Sequence, residues 1–194
     1  MANADLSRLM DNARMHLPGA VDDALKLELR NTISEFLDET NAWQEDISFV
    51  TASNRVAYDL ISVEPAAINR LLHVKHSGGG NVTATMAEPG VVVLRSEPNA
   101  DEKMTATVAL TVDDPTDRNA YPVFPAWILT KWEAPILEGL LARMFAHPAK
   151  PYSNERLGVY HARKFRAALA AARHEVVRTN LYGAQAWRFP RNFM

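Results

Sequence analysis

The stretch Met104-Thr105-Ala106-Thr107-Val108-Ala109-Leu110-Thr111-Val112 alternates aliphatic side chains with threonine or alanine at a period of two. Successive side chains of a strand point to opposite faces, so this stretch predicts a half-buried strand. Toward the N-terminus the same signal repeats in shorter pieces. Val91 to Leu94 is a continuous apolar run bracketed by Pro89-Gly90 and Pro98-Asn99, and Val82, Ala84 and Met86 alternate after Gly78-Gly79-Gly80. Ile68, Leu72 and Val74 form another run, as do Val56, Tyr58 and Leu60, then Ile47 and Phe49. Six short strands separated by turn residues predict a compact antiparallel sheet or sandwich. Asp113-Asp114-Pro115 closes it.

On both sides the period changes to that of a helix. Leu6, Leu9, Met10 and Ala13 recur at helical spacing until Pro18-Gly19. Leu25, Leu29, Ile33, Phe36 and Leu37 fall on one face of a second helix, with Asp22 and Asp23 near its positive end and Thr40-Asn41 at its stop. After the stiff connector Tyr121-Pro122-Val123-Phe124-Pro125, Pro125 is placed to open a third helix. Trp127, Ile128, Trp132, Ile136, Leu140, Leu141 and Met144 give that helix its apolar stripe; Pro135 within it predicts a kink or a split, and His147-Pro148 the end. Ser153 is expected to cap a last helix running to about Asn180, with Leu157, Tyr160, Phe165, Ala168, Leu169, Ala172 and Val176 facing inward. The fold class expected is α+β. Residues 1–43 and 122–180 form a helical bundle, residues 44–121 an inserted antiparallel β module, and residues 181–194 a C-terminal docking arm.

Composition narrows the function. With 194 residues, 47% apolar and 23% charged, the chain is long and apolar enough to bury a core. It has no cysteine, which excludes disulfides, cysteine-ligated metal centres and a thiol nucleophile. No run of 18 apolar residues is present, so no membrane span is expected, and Met1-Ala2-Asn3-Ala4-Asp5 does not read as the start of a secretory signal. None of the eight glycines sits in a phosphate-cradling loop or a dinucleotide fingerprint, and no Gly-x-Ser-x-Gly elbow occurs. His73 and His76 lie on a predicted strand running into a turn, without an identifiable third ligand. The expectation is therefore no metal, no cofactor and no catalytic residue.

Two features stand out. Residues 151–194 carry eight Arg and Lys against two Glu, which leaves thirteen basic and twenty-one acidic groups for residues 1–150. Oppositely charged halves suit contact between copies or with partners, as well as two solvated faces of one monomer. Within the basic half, Arg156, Arg163, Arg166 and Arg173 fall within an arc of about 100° on the last helix, placed to meet a neighbouring subunit or passing DNA phosphates. The C-terminus, Trp187-Arg188-Phe189-Pro190-Arg191-Asn192-Phe193-Met194, combines three aromatics and two arginines, types enriched at interface cores. It reads as an arm that docks on another protein.

Ile33-Ser34-Glu35-Phe36-Leu37-Asp38-Glu39-Thr40-Asn41-Ala42-Trp43, followed by Val56-Ala57-Tyr58-Asp59-Leu60, resembles the N-terminal half of head-to-tail adaptor (connector) proteins of short-tailed bacteriophages. So does Leu140-Leu141-Ala142-Arg143-Met144-Phe145-Ala146-His147-Pro148-Ala149-Lys150-Pro151-Tyr152-Ser153-Asn154, running into Tyr160 and Phe165-Arg166. These blocks cover about half the chain; the β region between them matches in outline. The resemblance implies a structural virion protein, assembled in the host cytoplasm, that forms a dodecameric ring at the head–tail interface. The ring joins the portal protein to tail nozzle or fibre proteins and continues the DNA channel. On that reading Trp187, Arg188, Phe189, Arg191 and Phe193 contact the portal, and Arg156, Arg163, Arg166 and Arg173 a neighbouring subunit or the channel. A second class stays open: a carbohydrate- or receptor-binding β-sandwich module of a phage tail. Against it, the strands offer no aromatic platform, because Phe49 and Tyr58 fit inward positions.

Overall fold

In a computed structural model, residues 3–61, 66–98, 101–113 and 120–179 are described. Among them the N-terminal segment forms α1 (Ser7–His16) and α2 (Asp22–Thr40). Leu9, Met10 and Ala13 are buried on α1; Leu25, Leu29, Ile33, Phe36 and Leu37 are buried on α2. Asp22 and Asp23 occupy the first turn of α2, where unpaired backbone N–H groups favour negative charge. Asn41 ends the helix in the left-handed conformation, φ 50°, and donates its N–H to the Leu37 carbonyl at 2.8 Å. Asn tolerates that conformation better than most side chains, which is why the helix stops where its two polar residues sit.

Seven strands follow among the described residues: β1 (Gln44–Val50), β2 (Ala57–Asp59), β3 (Ala66–His76), β4 (Asn81–Val82), β5 (Ala84–Glu88), β6 (Val91–Leu94) and β7 (Lys103–Val112). They form two antiparallel sheets, ordered β1-β7-β3-β4 and β2-β6-β5. The single run expected at Val82, Ala84 and Met86 is two strands. Val82 pairs with Val74 of β3, whereas Ala84 and Met86 pair with Leu94 and Val92 of β6 in the other sheet. The alternation continues through Thr83 while the pairing partner changes, so hydropathy carries no mark of the switch.

β7 lies between β1 and β3 and presents Met104, Ala106, Val108, Leu110 and Val112 to the core, each at most 7% exposed. Its contact with α2 joins the sheet to the helices, and buried residues of both belong to one continuous core. Tyr58 of β2 packs on Phe49 of β1, ring centroids 5.3 Å apart, and so links the two sheets. The Tyr58 hydroxyl is tied to the backbone of Ala52 and Arg55, giving this buried phenol the polar partners it needs.

The C-terminal helices are α3 (Ala126–Phe145) and α4 (Glu155–Thr179). Pro125 stands just before the first turn of α3, at the cap position. Pro135 bends the helix three residues upstream: Trp132 leaves the helical region at φ −125°, ψ 29°. The proline ring crowds the carbonyl one turn earlier and supplies no N–H for it. The kink seats the Trp132 ring between Phe36 of α2, at 5.5 Å, and Trp127, at 5.8 Å. α3 packs on α1, α2 and α4, and α2 also touches α4. Gly139 marks the tightest point. A β-carbon there would stand 2.5 Å from Thr32 Cγ2 of α2 and 2.9 Å from the Phe165 ring of α4.

The start of α4 departs from expectation. Asn154 is the cap, its side-chain oxygen accepting the Leu157 N–H at 3.1 Å. Ser153 instead closes the preceding loop, donating to the His147 carbonyl and accepting the Lys150 N–H. Phe165, Leu169, Ala172 and Val176 are buried as expected, but Leu157 and Tyr160 are 39% and 51% exposed. They lie about 90° and 150° from the centre of the buried stripe at 100° per residue. The residues that do face α3 in the first turns are Gly158, buried, and His161 and Ala162, partly buried.

Candidate interaction face on the last helix

α4 is fixed by its buried stripe and by ion pairs along its flanks. Lys164 Nζ meets Glu138 Oε1 of α3 at 2.9 Å, and Glu175 accepts Lys131 of α3 at 2.8 Å. His161 Nδ1 lies 2.6 Å from the other Glu138 oxygen and its ring stacks on Phe145 at 5.4 Å. Burial alone would raise the Glu138 carboxyl, but hydrogen bonds from His161 and Lys164 outweigh it and hold the group below the usual glutamate range. His161 is thus a packed, paired histidine that anchors one helix to its neighbour.

Arg156, Arg163, Arg166 and Arg173 are all exposed, and among the described residues none of them forms an ion pair. The structure divides the stripe. Arg166 and Arg173 overhang an open groove of about 610 Å³ between α4 and α2, with Glu35 and Glu39 on the α2 wall and Leu169, Ala170 and Val177 between. Glu35 is already engaged by Arg143 of α3 at 2.7 Å, within a cluster where Arg143 and His147 also reach Glu28. Arg156 and Arg163 lie about 60–100° further round, on the face turned away from the bundle. Projection of the same period beyond Arg173 adds Arg178 to that outer face, whereas His174, also exposed, lines the groove. The helical spacing already held that signal; extending the count beyond Arg173 recovers it.

Trp187, Arg188, Phe189, Arg191 and Phe193, expected from the sequence to contact a portal, lie outside the described residues, as does the rest of the segment from Asn180 onward. In the sheet, Asp46, Thr107 and His73 stand in one cross-strand row, with Thr107 Oγ1 3.0 Å from His73 Nε2 and bonded to Asp46. Burial, then nearby Lys75, lowers the His73 pKa, and Asp46 opposes them. Among the described residues no group of three or more His, Asp or Glu is placed to hold a metal ion. Among them, too, no helix is long and apolar enough to cross a membrane. No protein-family model matches the sequence, and no curated protein matches it.

Proposed function

We propose that this chain is a structural adaptor of a short-tailed bacteriophage, assembling as a ring that joins the capsid portal to the tail and continues the DNA channel. The observation that supports it is the order of the fold. Helices from both ends of the sequence pack together, and the antiparallel β region enters between α2 and α3. That is the arrangement implied by the resemblance of residues 33–43 and 140–154. The oppositely charged halves give copies complementary surfaces, and the aromatic and basic side chains of residues 187–193 supply a portal contact.

The test is the mass of the protein in solution, alone and mixed with purified portal rings. The expected result is a ring of copies bound to each portal, lost when residues 182–194 are deleted while the helical circular dichroism is retained. A chain that stays monomeric and ignores the portal overturns the reading. Attachment that survives the deletion moves the portal contact elsewhere.

A further inference from the structure

The open edge of the larger sheet carries an inference that does not depend on the adaptor reading. In the order β1-β7-β3-β4, β1 has a partner on one side only. Trp43 accepts the Leu110 N–H at 2.8 Å and Thr51 donates to the Glu102 carbonyl at 2.9 Å, so the odd-numbered residues between them exchange bonds with β7. The N–H and C=O groups of Gln44, Asp46, Ser48 and Val50 therefore point away from β7, and among the described residues no strand pairs with them. The side chains of β1 sort by face. Ile47 and Phe49 pack against the core yet stay partly exposed, while Asp46, Ser48 and Val50 are exposed on the other side. A row of unpaired backbone groups selects an extended segment, because a strand supplies donors and acceptors at the same spacing.

The bundle brings such a segment beside this edge. α3 runs antiparallel to both of its neighbours, as Glu138–Lys164 and Lys131–Glu175 show for α4, and Phe36–Trp132 and Glu28–Arg143 for α2. α2 and α4 are therefore parallel, and Glu39 and Val177, near their C-terminal ends, line one groove. β1 starts shortly after Thr40, and the chain continues beyond Thr179 from the same end of the bundle. Trp187 and Phe189 are two apart with Arg188 between them, which on a strand puts two aromatics on one face and a cation on the other. β1 carries Glu45 and Asp46 and no cation, whereas residues 181–194 carry Arg188 and Arg191 and no acid.

We propose that residues 185–189 add to β1 of their own chain as a parallel edge strand, with Trp187 opposite Ile47 and Phe189 opposite Phe49. This register lays both aromatics on the apolar face; a slip of two residues would set Trp187 against Glu45. Arg188 then stands opposite Ser48 and next to Asp46 on the outer face. Gln185, Trp187 and Phe189 turn their backbone groups toward β1, for about six hydrogen bonds. Pro190, which has no N–H to give, follows with its nitrogen on the new outer edge, where none is needed. Residues 180–184 bridge about 17 Å at full extension, more than the spacing of about 10 Å between packed helices. A segment tethered this close meets the edge at an effective concentration of about mM order, above that of a second copy in dilute solution. On the adaptor reading the same residues leave the edge to meet the portal, so the added strand belongs to the free subunit.

The chain has no cysteine, so introduced pairs report on this contact without background. In the full-length free subunit, S48C/R188C sets two thiols opposite each other on the outer face, and S48C/F189C sets them on opposite faces. Oxidation in dilute solution is expected to close an intramolecular disulfide at least about 10-fold faster in the first pair, read on non-reducing gels and by intact mass. Amide exchange at Asp46, Ser48 and Val50 is expected to speed up at least about 10-fold when residues 182–194 are deleted. Helical circular dichroism of each variant checks the fold. Equal closure rates for the two pairs overturn the proposal, and so does unchanged exchange after the deletion. A disulfide that forms only between chains, when the single variants S48C and R188C are mixed, also overturns it, by giving the edge to a second copy. None of these results bears on portal attachment, which the mass measurement decides.

Discussion

Replacing Gly139 with alanine tests the packing at the point where α2, α3 and α4 meet. In an exposed helix the change would stabilise, because glycine costs about 1 kcal/mol relative to alanine in a helix interior. Here the added methyl would lie 2.5 Å from Thr32 Cγ2 and 2.9 and 3.0 Å from two carbons of the Phe165 ring. Neither neighbour is a loose chain end. Thr32 is fully buried and its hydroxyl is bonded to the Glu28 carbonyl at 2.7 Å, which fixes its rotamer; Phe165 is 4% exposed. Overpacking of this kind costs about 1–3 kcal/mol, and contacts this short belong at the upper end. Set against the propensity gain, the net expectation is a loss of about 1–2 kcal/mol, a fall in Tm of about 2–8 °C for a chain of this size. Urea and thermal unfolding of Gly139→Ala measure it. The companion Thr32→Ser removes the clashing methyl and keeps the hydroxyl, at a cost of about 1 kcal/mol for the lost group. In the double variant the two losses should fail to add, with at least about 1 kcal/mol recovered. A Gly139→Ala protein more stable than wild type, or strictly additive losses, would refute the close-approach argument.

Three further expectations follow from single contacts. Asn154→Ala removes the cap of α4 and should cost about 1 kcal/mol by urea unfolding, with the helix N-terminus exchanging its amide protons faster. Asp38 is raised above its ordinary value of 3.8, chiefly by burial, with nearby Thr111 opposing and the Glu39 charge adding to the rise. A raised carboxyl favours folding below the unfolded pKa and loses that contribution as pH rises through the folded one. Asp38→Asn, which keeps an oxygen for Asn69 Nδ2, should therefore be the more stable protein at pH 7, and this advantage should shrink at pH 3 in thermal melts. Glu138 is held below its ordinary 4.5, so its contribution is present above that pH and is lost as pH falls through its folded value. Glu138→Gln should flatten the acid side of the stability profile, read as Tm between pH 5 and pH 3.

The parts of the fold visible in the sequence are those where one face is core and the other is not. β7 alternates because its even-numbered side chains enter the core while Lys103, Thr105 and Thr111 on its other face stay partly or fully exposed, only Thr107 and Ala109 there being buried; α2 shows its stripe for the same reason. Pro135 announces the kink because its effect is local and covalent. What stayed hidden depends on partners distant in the chain. Val82 and Ala84 have the same hydropathy pattern whether they share one strand or serve two sheets, and only the pairing with Val74 and Leu94 separates them. At the start of α4 the apolar residues misled. Leu157 and Tyr160 face outward, while the approach to α3 is made by Gly158, where a β-carbon would sit 3.5 Å from the Ala142 carbonyl. Close helix contact selects small side chains, and small side chains leave no trace in a hydrophobic period.

The basic stripe was legible as four arginines but not as two environments. Counting at 100° per residue puts Arg156, Arg163, Arg166 and Arg173 on one arc, and it cannot say what stands beside them. The structure brings α2 alongside Arg166 and Arg173, so these two face a groove whose other wall carries Glu35 and Glu39. Glu35 is committed to Arg143, which leaves Glu39 as the acid nearest to balancing that pair. On the outer face Arg156 and Arg163 have no such counterweight from α2, and Arg178 extends their row. The charge excess within α4 therefore weighs most on that face, where salt screens it until a partner makes contact.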